Sequence, residues 1–311
     1  MATRKSVRTV LAAVADPAAS GQIAARKAVE FAWLFGADVV LYHACYESSL
    51  SGGVLFDSAH LAAARRDHVA RAARALKEMA GSLGGPESQV RVRTEWTRAI
   101  PEAVARAAIR EGADIVVAEP RFRSSRTHRG LSRIDWEVAR LCPVPLLLAR
   151  SSAPYSKPRL LAAVDPGAHG LRVSALDAGI VGMASAVAAA TDGSVRLIHC
   201  MPETSLALAV RPAVMRREQQ RVKTMVRHLA REAGIAAKEV MIVPGNPVEE
   251  LIDAVATEDA DILVMGTNVR GPLQQLLIGS TTEQLMHVAP CDMLLVKPNS
   301  FRLASSRGSR K

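Results

Sequence analysis

Short apolar segments alternate with amphipathic stretches along the whole chain. The apolar segments are rich in Val, Leu, Ile and Ala and lack polar alternation, which is typical of parallel strands covered on both faces. The longer stretches between them, such as 57–79 and 212–233, are rich in Ala, Arg and Leu and favour helices. The strands are predicted to end near Asp16, Glu47, Trp96, Glu119 and Ala149 in the first half, and near Asp165, Met201, Pro244, Gly266 and Lys297 in the second.

This alternation repeats at domain length, and four anchor segments return in the same order. We therefore predict a domain at 1–150, a Pro- and Ser-containing linker at 151–158, a second domain at 159–298 and a basic disordered tail at 299–311. Each domain is expected to be a doubly wound, open, parallel five-stranded sheet of the Rossmann-like α/β class, with any ligand crevice at the carboxyl ends of the strands. The matched anchor residues are Asp16 with Asp165, His43 with His199, Asp114 with Asp261, and Cys142 with Cys291.

The most informative motif lies in the second half, between an apolar strand and an amphipathic helix. The strand runs into Gly266, and thirteen residues later Gly279 is followed by Ser280 and Thr281. Glycine lets the backbone approach an anion closely, and a helix N-terminus supplies partial positive charge. The motif is compatible with a phosphate site, although a strand, a glycine turn and a helix also occur in doubly wound proteins that bind no phosphate.

The spacing resembles the universal stress protein family, whose nucleotide-binding members carry Gly, two residues, Gly, nine residues, Gly, then Ser or Thr. Gly266 and Gly279-Ser280 match this pattern, whereas Val269 takes the place of the middle glycine. The repeat resembles the tandem-domain type of the family. The resemblance implies a cytoplasmic, non-enzymatic stress-response protein that binds an adenine nucleotide such as ATP, with Mg, in one domain.

The resemblance also implies which residues contact the nucleotide. Asp165 has a physical rationale, because a carboxylate accepts hydrogen bonds from ribose hydroxyls or an adenine amino group. Its alternative role is the N-cap of the following helix. The first domain has Glu119 in the place of Gly266, and a carboxylate there repels phosphate, so we expect no ATP binding in that domain. The candidate binding residues are Ala163, Val164, Asp165, Met265, Gly266, Thr267, Gly279, Ser280 and Thr281.

Charge and composition narrow the classes of partner. The formal net charge is +10, of which the two termini supply +7 and the arginine-rich segment 121–133 supplies +5, so the remainder is slightly acidic. Basic tails associate loosely with polyanions but do not specify a base sequence. With 4% aromatic residues the chain lacks an evident stacking platform for single-stranded nucleic acid. We expect segment 121–133 to be a solvated loop.

The remaining side chains favour structural roles. The four widely spaced cysteines form no CxxC pair and are expected to be core thiols, in keeping with a reducing cytosol. His43 and His199 recur at one strand position and are expected to be structural. We predict no secretory signal and no membrane insertion, because the apolar stretch 178–190 is too short to span a bilayer. Its apolar character favours burial against the other domain, through intramolecular domain pairing, or against a partner subunit, with an acyl-binding crevice as an alternative.

Three functions stay open on sequence alone. The first is a non-enzymatic nucleotide-binding stress protein, and the second is an interaction scaffold or a binder of a small lipid-like ligand. The third is a slow ATPase, for which no general base near Gly279 is identifiable. The segment 51–58, SGGVLFDS, is similar to the loop of ATP pyrophosphatases but follows the second strand instead of the first, which disfavours adenylation chemistry.

Overall fold

The computed structural model of the chain describes residues 7–51, 58–83, 90–120, 122–124, 129–166, 174–201, 212–267 and 279–297. By its internal contacts the chain divides into two compact units, Met1–Pro154 and Tyr155–Lys311. Within the described ranges, no helix has the length and hydropathy needed to cross a membrane.

The first unit is built on a parallel five-stranded sheet with the strand order β7-β4-β1-β2-β3. The two central strands are buried at most of their positions, as expected for a sheet covered by helices on both faces. Its elements are β1 (Thr9–Ala13), α1 (Ile23–Phe35), β2 (Asp38–Cys45), α2 (Ser58–Ser82), β3 (Val90–Trp96), α3 (Ile100–Arg110), β4 (Ile115–Ala118), β5 (Phe122–Ser124), β6 (Arg129–Leu131), α4 (Arg133–Leu141) and β7 (Leu146–Leu148).

The second unit has the equivalent order, β10-β9-β8-β11-β12, again with all neighbours parallel. The predicted fold class, two tandem doubly wound α/β domains, is confirmed. The elements are β8 (Arg159–Ala163), α5 (Ala175–Thr191), β9 (Ser194–Met201), α6 (Pro212–Glu232), β10 (Val240–Pro244), α7 (Pro247–Thr257), β11 (Ile262–Gly266), α8 (Ser280–Val288) and β12 (Asp292–Val296).

Two pairs of repeated polar residues hold the two ends of the central strand, and each pair makes the same contact in both units. Asp114 accepts the backbone N–H of Thr9 at 3.1 Å, and Asp261 accepts that of Arg159 at 2.8 Å, so each carboxylate holds the start of the central strand. At the other end of that strand, the backbone carbonyls of Val14 and Val164 accept hydrogen bonds from the Nδ1 atoms of His43 and His199, at 2.8 and 2.9 Å. These contacts agree with the structural role expected for both histidines.

The pairing of Cys142 with Cys291 is wrong by two residues. Cys142 is the C-cap of α4, whereas the C-cap of α8 is Ala289. The sheet register agrees, since Leu146 lies opposite Val116 and the equivalent residue Met293 lies opposite Leu263. A Cys precedes an apolar strand in both halves, and this similar pattern suggested an equivalence that the sheet register does not have. None of the four cysteines forms a disulfide in the described part of the chain, and Cys45, Cys142 and Cys291 are buried.

Two short strands lie within the arginine-rich segment 121–133, where a loop was expected. Strands β5 and β6 pair antiparallel, with Phe122 opposite Leu131 and Ser124 opposite Arg129. A two-stranded ribbon lets the backbone groups of a long connection bond to one another, a pairing that the charge pattern did not reveal.

Helix α5 packs against β8, β9, β11 and β12 of its own unit. Its buried side chains include Ile180, Val181, Met183 and Val187. Burial on this sheet explains the apolar sequence of 178–190. Burial against another domain or a partner subunit is therefore not required to explain it. The exposed residues Ala178, Gly182 and Ala189 are small and uncharged, so the sequence of this helix has no polar face at these positions.

Candidate functional site

A cavity of about 420 Å³ opens in the second unit at the carboxyl ends of β8 and β11. This volume lies within the usual range for small-molecule pockets. The lining residues are Ala163, Val164, Asp165, Leu176, Asp177, Ile180, Ile198, Cys200, Pro247, Leu251, Met265, Gly266, Gly279, Ser280, Thr281 and Thr282.

The structure brings eight of the nine predicted site residues to this cavity, all except Thr267. Thr267 is buried, and its N–H donates to the carbonyl of Val296 at 2.9 Å, so it extends the contact between β11 and β12 instead. Val269, which replaces the family's middle glycine, lies outside the described residues, as do most of SGGVLFDS and the terminal tails.

Gly266 has a packing role that the motif did not suggest. A Cβ atom at this position would lie 2.6 Å from Cδ2 and 2.8 Å from Cγ of Leu176, which is closer than real Cβ contacts. Leu176 belongs to the first turn of α5 and is itself buried. The glycine therefore lets α5 approach the end of β11 and form one wall of the cavity.

The first turn of α8 is tied to the same strand end. The hydroxyl of Thr282 donates to the carbonyl of Gly266 at 3.0 Å. The N-cap residue is Gly279, with φ −62° and ψ 146°, and the helix has no side-chain cap hydrogen bond. Since the first N–H groups of a helix lack partners within it and no side chain among the described residues caps them, this terminus presents backbone donors and partial positive charge to the cavity.

Asp165 is not the N-cap of the following helix. Ser174 has that role, because its Oγ accepts the N–H of Asp177 at 3.0 Å and its hydroxyl donates to Asp177 Oδ2 at 2.6 Å. The other carboxylate oxygen, Oδ1 of Asp177, accepts the backbone N–H of Asp165 at 2.9 Å. The side chain of Asp165 is thereby left exposed at the rim of the cavity.

Several lining residues were missed by sequence reasoning. The apolar floor is formed by Leu176, Ile180, Ile198 and Leu251, which belong to α5, β9 and α7 and carry no motif. Cys200 also lines the cavity, and burial, reinforced by nearby Glu250 and Asp165, raises the pKa of its thiol to about 12. The thiol is therefore protonated near neutral pH and contributes to the floor as a small apolar group.

The corresponding crevice in the first unit is nearly closed, with a volume of about 40 Å³. Tyr42 takes the sheet position of Ile198, and Glu119 takes that of Gly266. Helix α4 is also capped, because Ser132 accepts the N–H of Asp135 at 3.2 Å. A buried carboxylate, that of Asp135, lines this crevice beside Glu119.

In the described part of the chain, no group of three or more His, Cys, Asp or Glu side chains has an arrangement that could hold a metal ion. The polar groups at the cavity are hydroxyls, a helix terminus and carboxylates. Together with the apolar floor they suit a ligand that has a flat or apolar part and a polar part.

The sheet order, the strand-end cavity and the repetition define a tandem doubly wound α/β protein with an open strand-end pocket in its second unit. The model of the universal stress protein family matches residues 6–150 and 159–297, and the chain belongs to this family. Its two domains confirm the predicted tandem type.

Relatives match over nearly the whole chain. The chain is 23% identical to universal stress protein E of Escherichia coli K12 over 302 residues, which is 93% of this chain and 94% of that protein. It is 22% identical over 262 residues to the universal stress protein E homolog of Haemophilus influenzae, covering 82% and 84%. A functionally unknown protein of Pseudomonas aeruginosa PAO1 superposes with a TM-score of 0.70 at 22% identity, covering 96% and 98%, which shows a common fold.

Proposed function

We propose that the protein is a non-enzymatic, cytoplasmic stress-response protein whose second domain binds an adenine nucleotide. The observation that carries this proposal is the 420 Å³ cavity at the uncapped N-terminus of α8. Its apolar floor fits a purine ring, and the exposed carboxylate of Asp165 is available to ribose hydroxyls. The phosphates would lie at Gly279, Ser280 and Thr281, where backbone donors and hydroxyls converge.

The described lining includes two carboxylates and no Lys or Arg, which bears on the form of the ligand. Both oxygens of Asp177 are already engaged, by Ser174 and by the N–H of Asp165, so its charge is partly offset by donors. A nucleotide that arrives with Mg²⁺ bound to its phosphates brings less negative charge, and Mg²⁺ is usually held by phosphates and water with few protein ligands. ATP with Mg is therefore the form that we propose.

The proposal assigns nucleotide binding to the second domain alone. The first crevice is about 40 Å³ in volume, and Asp135 and Glu119 would repel a phosphate there. Its helix terminus is already capped by Ser132, so its donors are less available to an anion.

The test is a thermal-shift titration of the full chain with ATP and magnesium, comparing wild type with Gly279→Asp. Gly279 has extended backbone angles that any residue adopts, and Asp is a favoured N-cap, so the unliganded variant is expected to be as stable as wild type. A ligand that binds only the native state at 100 times its Kd stabilises it by roughly 2.7 kcal/mol. We expect a saturable rise in Tm for wild type that is lost in Gly279→Asp.

The matched control is Gly279→Ser, which places at this N-cap the residue that caps α4, Ser132. It adds a hydroxyl without a charge and should retain a weaker shift. The absence of any shift in wild type up to millimolar ATP would overturn the nucleotide proposal. Accumulation of ADP with protein free of contaminating ATPase would overturn the non-enzymatic part.

A second candidate function is supported by the apolar floor of Leu176, Ile180, Ile198 and Leu251. A binder of a small lipid-like ligand would use this floor and not need the α8 terminus. It predicts stabilisation by a medium-chain fatty acid that persists in Gly279→Asp and is weakened by Ile180→Asn. A scaffold without a small ligand predicts no stabilisation by either compound.

A further inference from the structure

The first unit carries a cluster of four arginines on the surface formed by edge strand β3 and helix α3. Arg91 and Arg93 are two residues apart on β3, so their side chains point to the same face of the sheet. Arg106 and Arg110 are one turn apart on α3, so they are neighbours on the helix surface. The four residues belong to neither the open cavity nor the terminal tails.

Glu111 organises this arginine cluster. Its carboxylate lies 3.0 Å from Arg91 Nη1, 3.2 Å from Arg93 Nε and 3.5 Å from Arg110 Nε, and its side chain is only 6% exposed. The residue is the C-cap of α3, where the helix dipole favours cations. A nearly buried carboxylate therefore fixes three guanidinium groups relative to one another.

The second carboxylate of the cluster, Glu95, lies on the same face of β3. It accepts a hydrogen bond from Arg106 Nη2 at 2.9 Å and lies 3.7 Å from Arg110 Nη1. Glu95 also accepts the hydroxyl of the buried Tyr42 at 3.1 Å, which anchors it to the core. Four guanidinium groups and two carboxylates leave a net charge of +2 on this small surface.

The guanidinium groups keep capacity for an external anion. Their side chains are between 39% and 55% exposed, in contrast to the nearly buried Glu111. Each guanidinium has five N–H groups, and the contacts within the cluster use one N–H of Arg91 and one of Arg106. The pairs on β3 and on α3 are each spaced by about 6–7 Å, from the rise per residue of strand and helix.

The edge of β3 is protected against addition of another strand. Nη1 of Arg93 donates to the carbonyl of Val92 at 3.0 Å, so a side chain occupies one of the strand's own backbone acceptors. Charged side chains at an edge oppose pairing with another chain. The cluster therefore suits an anionic ligand better than an extended peptide that would pair with β3.

We propose that this arginine cluster binds a chain of phosphate groups. Guanidinium groups match phosphate oxygens in bidentate geometry, and several of them held in fixed positions accept successive phosphates without losing much side-chain freedom. The phosphate chain belongs either to a free oligophosphate or to the backbone of a nucleic acid, which is contacted here without reading of its bases.

The experiment uses the full chain and two probes, sodium tripolyphosphate in calorimetry and a short fluorescein-labelled oligothymidine in anisotropy. The test variant is the double substitution Arg91→Gln and Arg106→Gln, which leaves Glu111 paired with Arg93 and Arg110. The control is Arg216→Gln with Arg227→Gln, which removes the same charge from exposed positions of α6 in the second unit. The single charge reversal Arg106→Glu, at a side chain 55% exposed, serves as a second test that leaves the contacts of Glu111 in place.

We expect the test variant to bind at least one probe about 10-fold more weakly than wild type, and the control to bind like wild type. For oligothymidine, loss of two phosphate contacts should also reduce the slope of log K against log salt by about 1.4. An effect on tripolyphosphate indicates a free oligophosphate, and an effect on oligothymidine alone indicates a nucleic acid backbone.

The proposal is overturned if neither probe binds, or if test and control variants weaken binding equally, because the binding would then follow net charge. It is also overturned if a poly-glutamate peptide competes equally well, since the site would then lack preference for phosphate. None of these substitutions lies at the cavity of the second unit, so ATP-dependent stabilisation that is lost in Gly279→Asp and kept in the test variant separates the two proposals.

Discussion

Substitution of Gly266 by alanine tests whether this glycine serves packing. Gly266 lies in extended backbone at the end of β11, where replacement of Gly by Ala normally stabilises a protein by about 0.4–1 kcal/mol by restricting the unfolded chain. Here the new Cβ would lie 2.6 Å from Leu176 Cδ2 and 2.9 Å from Cδ1. Overpacking of a core site costs about 1–3 kcal/mol, so we expect Gly266→Ala to lower the free energy of unfolding by about 1–2 kcal/mol.

The assay is urea denaturation followed by far-UV circular dichroism and by tryptophan fluorescence. All three tryptophans, Trp33, Trp96 and Trp136, lie in the first unit, so fluorescence reports that unit and the difference between the two signals reports the second. The matched control is Gly182→Ala in α5, whose Cβ would have no atom within 4 Å, and alanine in a helix is favoured over glycine by about 0.5–1 kcal/mol. We therefore expect opposite signs for the two variants.

The double variant Gly266→Ala with Leu176→Ala completes the test. Leu176→Ala alone leaves a void and should be destabilising, but it also makes room for the new Cβ. The double variant should therefore lose less stability than the sum of the single variants, as expected for residues in contact. A stabilising Gly266→Ala, or strict additivity, would refute the packing explanation and return Gly266 to a role in ligand approach.

Three further outcomes are expected. Thr282→Val removes the hydrogen bond to the carbonyl of Gly266 and should cost about 1 kcal/mol in urea denaturation, with weaker ATP-dependent stabilisation than wild type. Ser174→Ala removes the N-cap of α5 and should cost about 0.5–2 kcal/mol, whereas Ser174→Thr, which keeps the hydroxyl, should cost less. Because burial raises the pKa of Cys200 to about 12 from a usual 9.0, its alkylation in native protein should not accelerate between pH 7 and 9, and mass spectrometry of the labelled peptide measures this. The raised pKa also stabilises the folded state: this contribution is complete below about pH 9 and is lost as the pH rises toward about 12. Alkylation of Cys200 in native protein at the rate seen in denatured protein would contradict its burial.

Much of the fold was predictable because its signals are local. The apolar runs predicted strand ends at Trp96, Met201 and Pro244, and the structure ends β3, β9 and β10 at these residues. The repeat pairs Asp114 with Asp261, and both carboxylates hold the start of a central strand. The strand ends depend on the order of residues along one strand, whereas the repeat marks Asp114 and Asp261 as equivalent without revealing the contacts that they make more than a hundred residues away.

The candidate site was predictable only where a motif marks it. Gly279, Ser280 and Thr281 follow a spacing that the sequence displays, and the structure brings them to one cavity with Asp165. The residues of the floor, such as Ile198 and Leu251, are ordinary core residues in the sequence. The alternative role of Asp165, as the N-cap of the following helix, was wrong for α5, because Ser174, nine residues later, caps that helix.

The sequence by itself determined the class of fold, the repeat and the family, because the alternation of apolar and polar positions and the glycine spacing act over short distances along the chain. Only the tertiary structure decided that one crevice is open and its counterpart nearly closed, at about 420 and 40 Å³. It also decided that Glu111 forms ion pairs with arginines of both a strand and a helix. The physical reason is that cavity volume and charge clustering depend on contacts between side chains far apart in sequence, and these contacts exist only after the sheet and helices have packed.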